Sequence, residues 1–131
     1  ISRHFGGDPA GRTVAVWGLA FKPGTDDMRE APSLVLIDAL LKAGCRVRAF
    51  DPVAMDRAHA ILGDAVFFAP DMYAAAEGAD ALAVVTEWKQ FRLPDWKRLH
   101  ELMASPVVFD GRNIYREETL AQAGFTGYRI G

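Results

Sequence analysis

The chain has 131 residues, half of them hydrophobic and 24% charged, which is enough for one folded domain and too apolar for a disordered one. Its net charge of −2 provides no cationic surplus for nucleic acid, and the single cysteine excludes an internal disulfide. No apolar run approaches the roughly 20 residues of a membrane-spanning helix, so we expect a soluble, cytoplasmic protein with neither nucleic acid nor membrane as partner.

The first residues, 1–11, contain Gly6-Gly7-Asp8-Pro9, a turn-rich passage with no core pattern. We expect them to be a residual linker from an upstream domain, in a sequence that looks cut from a longer protein. The folded domain is predicted to occupy residues 12–131.

Apolar runs of strand length alternate with helical patterns through this domain. The predicted strands are 14–17, 47–50, 65–68, 81–85, 107–109 and, more weakly, 126–130. The predicted helices are 33–43, 53–62, 71–77, 94–104 and 116–123. Residues that suit helix starts and ends support them: Pro32, Asp71, Pro94, Gly44, Gly63, Gly78 and Gly124. The alternation implies βαβ crossovers and predicts a three-layer α/β/α, Rossmann-like domain with a mostly parallel sheet of five to six strands.

The connection between the first strand and the first helix is long and charged. It reads Gly18-Leu19-Ala20-Phe21-Lys22-Pro23-Gly24-Thr25-Asp26-Asp27-Met28-Arg29-Glu30, whereas such connections usually take about 2–6 residues. Lys22 and Arg29 lie near a helix N-terminus, where anions are favoured. The loop therefore predicts a site for a phosphorylated ligand.

Other polar connections are predicted to leave the same edge of the sheet. In parallel sheets, ligands bind outside the carboxyl ends of the strands, where the strand order reverses. The connections at that edge are 18–32, Asp51-Pro52, 86–89 and 110–113. Three of the four are rich in polar or charged residues, which is the strongest functional indication from pattern alone.

Five motifs along the chain follow a family's order. They are Gly18 to Ser33, Asp51-Pro52, Gly78 to Ala81, Thr86-Glu87-Trp88 and Asp110-Gly111-Arg112-Asn113. From about residue 12 to its end, the chain closely resembles the C-terminal domain of the UDP-glucose/GDP-mannose dehydrogenase family. The branch that oxidises UDP-glucose to UDP-glucuronate fits best, because it favours Met-Arg-Glu-Ala-Pro-Ser in the first motif and Asp-Gly-Arg-Asn in the last.

The resemblance implies that this domain holds the nucleotide-sugar, while a separate N-terminal Rossmann domain holds NAD. By position in the motifs, Phe21, Lys22 and Arg112 would contact the substrate, and Arg29 would reach the NAD of the neighbouring domain. The chemistry agrees, since lysine is a compact cationic donor beside a diphosphate of about two negative charges, and arginine offers a rigid fork of donors.

The resemblance also implies that catalysis needs residues from elsewhere. Members of the family oxidise a primary alcohol twice, with two NAD molecules and a cysteine upstream of this domain. The cysteine here, Cys45, starts the second strand at the opposite edge of the sheet and is expected to be a core residue. No Gly-x-Gly-x-x-Gly follows the first strand, and the histidines lack metal-ligand spacing. We therefore assign no catalytic and no metal-binding residue, and predict that this chain binds substrate without turning it over.

Two other residues at the ligand edge are given structural interpretations. Asp51 resembles the ribose-binding acid of a dinucleotide fold, but without the glycine fingerprint no ribose contact is expected. Trp88 is expected to be structural. Family members dimerise mainly through a long central helix that precedes this domain, so we expect this chain alone to be a monomer.

Two alternative functions share features with this sequence. The same domain of a GDP-mannose or UDP-N-acetylmannosamine dehydrogenase stays open, because the residues that read base and sugar are not assigned. A phosphoacceptor receiver also alternates strands and helices, but it needs acidic residues after its first strand and an aspartate ending its third. Here those strands run into Gly18-Leu19-Ala20-Phe21 and Phe68-Ala69-Pro70, so a regulatory module of this kind is disfavoured.

Overall fold

The computed structural model describes residues 11–19, 32–86, 88–92, 94–111 and 114–129. Six strands lie within these residues: β1 (Thr13–Trp17), β2 (Arg46–Phe50), β3 (Phe67–Phe68), β4 (Ala81–Val84), β5 (Val107–Asp110) and β6 (Thr126–Arg129). The α-helices there are α1 (Pro32–Lys42), α2 (Met55–Leu62), α3 (Met72–Ala76), α4 (Lys89–Arg92), α5 (Trp96–Leu102) and α6 (Glu117–Gln122). None of these helices has the length and apolar character needed to cross a bilayer.

The strands form one sheet in the order β3-β2-β1-β4-β5-β6, and every neighbouring pair is parallel. Trp17 is in register with Phe50 on one side and with Val84 on the other, so the central strands end at nearly the same level. The chain builds outward from β1 to β3 and then returns to start β4 on the other side of β1. The order therefore reverses between β1 and β4, where α/β sheets bind ligands.

Neighbouring residues of β1 face opposite sides of the sheet. Val14 and Val16 belong to an aliphatic cluster with α1 and α2. Ala15 and Trp17 belong to a second cluster, with α3, α5 and α6, that is rich in aromatic residues. Trp17 stacks on Phe91 with 5.1 Å between ring centroids, and its Nε1 donates to the first carbonyl of α3 (2.8 Å). Helices cover both faces, which confirms the predicted three-layer α/β/α fold.

Local chemistry at the helix ends also agrees with the sequence. Asp71 caps α3, since its Oδ1 accepts from the backbone N–H of Ala74 at 2.7 Å. The four glycines expected at helix ends have positive φ angles between 63° and 88°. Pro32 is the first residue of α1, as predicted.

Several boundaries differ from the predictions, each for a local reason. The third strand is 67–68 rather than 65–68, because a 3₁₀ turn over Gly63–Ala65 follows α2 and takes up its start. The fourth predicted helix, observed as α5, begins at Trp96 rather than at 94, because Asp95 caps it by accepting from Arg98 N (3.1 Å). Helix α4 was not predicted, since four residues are too few to show a helical period.

Candidate functional site

At the carboxyl edge of the sheet, the end of β1 is in direct contact with the ends of β2 and β4. Gly18 donates its N–H to the carbonyl of Phe50 (2.8 Å), and Val85 donates to the carbonyl of Trp17 (2.9 Å). A Cβ built on Gly18 would lie 2.4 Å from the Cβ of Thr86, and the φ of Gly18 is +95°. Glycine is therefore required there, both for its backbone conformation and for the close approach to β4.

Asp51, directly after β2, is buried and fully engaged with the backbone. The residue is 1% exposed. Oδ2 accepts from the N–H of Leu19 at 2.8 Å, and Oδ1 accepts from the N–H groups of Val53 and Ala54 at 2.8 Å each. The Asp51-Pro52 turn thus delays α2 until Met55, and it ties the end of β2 to the chain leaving β1.

Ser33, in the first turn of α1, holds the other end of the same connection. Its hydroxyl donates to the carbonyl oxygen of Leu19 at 2.5 Å, and both residues are fully buried. Leu19 therefore has its N–H bonded to Asp51 and its C=O bonded to Ser33. The long connection begins and ends at this point of the fold.

Asp110, the last residue of β5, anchors the second polar connection. The residue is 2% exposed, and its Oδ2 accepts from the N–H of Tyr115 at 2.9 Å. Gly111 donates to the carbonyl of Val84 (2.9 Å). The Tyr115 hydroxyl in turn donates to the carbonyl of Phe91. Burial, then the nearby charge of Asp110 and the proximity of Tyr73, raise the pKa of Tyr115 well above its ordinary value, so it stays a neutral donor.

A cavity of about 450 Å³ lies beside Asp110, between α6 and β6. This volume is within the range of small-molecule sites, about 300–1,000 Å³. Its polar and aromatic lining residues are Asp110, Tyr115, Glu117, Phe125 and Tyr128. No lysine or arginine occurs among the described residues that line it, so an anionic ligand would need cations from the adjoining loops.

The Asp51 carboxylate is occupied by backbone groups. In a dinucleotide fold the acid after the second strand bonds the ribose, but both oxygens of Asp51 are taken by backbone N–H groups. No ribose contact is therefore assigned to Asp51, whose described hydrogen bonds run to backbone N–H groups.

The four residues predicted to contact ligands, Phe21, Lys22, Arg29 and Arg112, lie outside the described residues, so their assignments stay predictions. Trp88 is partly buried in the aromatic cluster, with a buried Nε1 that has no hydrogen-bond partner among the residues that the structure describes. Cys45 precedes β2 at the amino edge and is 5% exposed. Burial and then the charge of Asp80 raise the pKa of its thiol, as expected of a core cysteine rather than a nucleophile.

Comparisons with known proteins agree with the motifs. The UDP-glucose 6-dehydrogenase of Pseudomonas aeruginosa is 55% identical over 136 residues, which cover 100% of this chain and 30% of that protein. The UDP-glucose 6-dehydrogenase of Rhizobium meliloti is 45% identical, with coverage of 96% and 29%. A solved UDP-glucose dehydrogenase from the archaeon Pyrobaculum islandicum has a TM-score of 0.79 at 34% identity, with coverage of 99% and 27%. The chain spans less than a third of the length of each.

A sequence model of the UDP binding domain of the UDP-glucose/GDP-mannose dehydrogenase family matches residues 15–117. This range runs from β1 to the first residue of α6 and includes both anchored connections. The chain therefore belongs to the UDP-glucose/GDP-mannose dehydrogenase family, as its C-terminal UDP binding domain.

Proposed function

We propose that this chain is the nucleotide-sugar-binding domain of an NAD-dependent UDP-glucose 6-dehydrogenase. In the whole enzyme, UDP-glucose is oxidised to UDP-glucuronate by two successive hydride transfers to NAD. The observation that carries the proposal is the match to the family's UDP binding domain over residues 15–117. Two relatives called UDP-glucose 6-dehydrogenase, at 55% and 45% identity, favour glucose as the sugar.

In this proposal Phe21, Lys22 and Arg112 contact the nucleotide-sugar. The connections that contain them leave β1 and β5, which are separated in the sheet by β4 alone. Two strand spacings place the starts of these connections about 10 Å apart at one edge. Since Asp110 and Glu117 line the adjacent cavity and would repel a diphosphate, Lys22 and Arg112 supply the opposite charge.

The remaining parts of the enzyme lie outside this domain. NAD is held by an N-terminal domain, which Arg29 meets from this side, and the catalytic cysteine belongs to another segment. A central helix provides the dimer contact in the parent protein. We expect the 131-residue chain to be a monomer by sedimentation and to form no NADH when it is mixed with UDP-glucose and NAD.

Calorimetric titration of the chain with UDP, UDP-glucose, GDP and GDP-mannose tests the proposal. We expect binding of the uridine nucleotides and weaker binding of the guanosine ones. Lys22→Ala and Arg112→Ala should each weaken UDP binding about tenfold or more, since hydrogen bonds to charged groups contribute about 1.5–3 kcal/mol.

The matched control is Lys42→Ala, at the amino edge, where the side chain is 77% exposed and pairs with Asp38 at 3.0 Å. It should leave UDP affinity unchanged. Absence of UDP binding would overturn the proposed function. A preference for GDP-mannose would instead assign the domain to the GDP-mannose branch of the family.

A further inference from the structure

We propose that Asp51, Ser33 and Asp110 are positioning residues, which hold the two ligand-contacting connections at fixed points of the sheet edge and thereby set the affinity for the nucleotide diphosphate. This inference rests on the proposed function and deepens it. None of the three residues is assigned a contact with the ligand.

The first anchor acts on Leu19. Its N–H donates to Asp51 Oδ2 and its carbonyl accepts from Ser33 Oγ. Leu19 and Ser33 flank the segment that includes Lys22, so that segment starts and finishes at one place. Asp51 fixes this place relative to β2, because its other oxygen accepts from Val53 and Ala54.

The second anchor acts on the connection that includes Arg112. One residue before Arg112, Gly111 N bonds to the carbonyl of Val84. Three residues after it, Tyr115 N bonds to Asp110 Oδ2 and the Tyr115 hydroxyl bonds to Phe91. Both sides of Arg112 are thus tied to strands and helices of the aromatic face.

The negative charge of these carboxylates indicates that they position the backbone and do not contact the anionic ligand. Asp51 and Asp110 are anions at an edge proposed to bind an anion, and they are 1% and 2% exposed. Their charges oppose the ligand, and burying them is costly unless their oxygens are hydrogen-bonded. The bonds that offset this cost run to the backbone of the two ligand-contacting connections.

The test compares conservative variants at the two edges of the sheet, using the 131-residue chain and UDP as probe. Asp51→Asn should raise the Kd for UDP about tenfold and Asp110→Asn or Ser33→Ala about threefold, measured well below the unfolding temperature. The matched control is Asp80→Asn, since Asp80 also accepts a strand N–H, that of Thr13 at 2.8 Å, but at the amino edge. Its Kd should be unchanged.

A double-mutant cycle separates positioning from general stability. If Asp51 acts by placing Lys22, the effects of Asp51→Asn and Lys22→Ala on Kd will be less than additive, because the second loss finds the contact already weakened. Additive effects, or an unchanged Kd in folded Asp51→Asn, overturn the inference. If Asp51→Asn does not fold, the same double-mutant cycle is measured with Ser33→Ala in its place, and the same outcomes support or overturn the inference.

Failure of the proposed function can be distinguished from failure of the anchoring inference. If the unaltered chain binds no UDP, the nucleotide assignment is wrong, and amide hydrogen exchange at Leu19 then decides the anchoring itself. Faster exchange at Leu19 in folded Asp51→Asn than in Asp80→Asn supports the anchor, and equal exchange overturns it.

Discussion

Both edges of the sheet use an aspartate that accepts a backbone N–H, but they bury it to different depths. At the amino edge, Asp80 accepts from Thr13 and its side chain is 19% exposed, with Arg12 at 3.9 Å. At the carboxyl edge, Asp51 and Asp110 are almost completely buried. A partly solvated carboxylate needs few protein partners, whereas a buried one requires hydrogen bonds to its oxygens. Asp51 and Asp110 therefore depend on their backbone donors more than Asp80 does.

The largest expected loss of stability comes from substituting Gly18 at the carboxyl edge. Gly18→Ala places a Cβ 2.4 Å from Thr86 and forces an unfavourable φ of +95°. We expect a loss of about 3 kcal/mol or more in the free energy of unfolding, measured with urea. Gly11→Ala is the matched change at the amino edge, where φ is +80° and no atom lies within 4 Å of the new Cβ. It should cost only about 1–2 kcal/mol, and equal losses would contradict the comparison.

Replacing an aspartate should cost more unfolding free energy at the carboxyl edge than at the amino edge. Asp51→Ala leaves the N–H groups of Leu19, Val53 and Ala54 without this acceptor in a buried setting, so we expect a loss of about 3 kcal/mol in the free energy of unfolding. Asp80→Ala exposes one N–H at a partly solvated edge and should cost about 1 kcal/mol. An Asp80→Ala loss as large as that of Asp51→Ala would show that burial does not distinguish the two edges.

The fold could be predicted because its signals are local. Glycines at helix ends, a capping aspartate and apolar runs of strand length each act within a few residues, and they gave the parallel α/β class correctly. The errors fell where local signals are short or compete. Helix α4 has four residues, and the 3₁₀ turn at Gly63–Ala65 replaced the start of an edge strand that pairs with β2 alone.

The anchors of the site were not predictable in the same way. Asp51 was expected to be structural, but its partner Leu19 lies 32 residues earlier, and the two meet only because β1 and β2 are neighbours in the sheet. A sequence pattern predicts parallel strands without their order. The bond between Asp110 and Tyr115 spans five residues and could have been suspected from an aspartate that ends a strand just before a glycine turn.

Tyr115→Phe tests how much the buried Tyr115 hydroxyl stabilises the carboxyl edge, and how this contribution depends on pH. At pH 7 the variant should lose about 1 kcal/mol of unfolding free energy, because the carbonyl of Phe91 loses a buried donor. The folded-state pKa of Tyr115 is raised above its unfolded value by burial, the charge of Asp110 and the proximity of Tyr73. Stability from neutral Tyr115 is therefore complete below about pH 10, the unfolded tyrosine pKa, and is lost progressively as pH rises above it.

The measurement is the difference in unfolding free energy between the unaltered chain and Tyr115→Phe at pH 7 and at pH 11. The other tyrosines are common to both proteins, so their ionisation cancels. We expect the advantage of the unaltered chain to shrink at pH 11. A difference that is constant between the two pH values would show that Tyr115 ionises equally easily in the folded and unfolded states.

The smallest expected effects belong to Cys45 at the amino edge. Its pKa is raised by burial and then by the charge of Asp80, so little thiolate forms at pH 8 in the folded chain. Iodoacetamide should label Cys45 much more slowly in buffer than in denaturant, and Cys45→Ala should change the free energy of unfolding by about 1 kcal/mol or less, since few atoms are removed. UDP affinity should stay unchanged, because Cys45 lies at the end of β2 opposite to Asp51. Rapid labelling of the folded chain would show that Cys45 is accessible and reactive. A weaker UDP complex would show that the amino edge influences ligand binding.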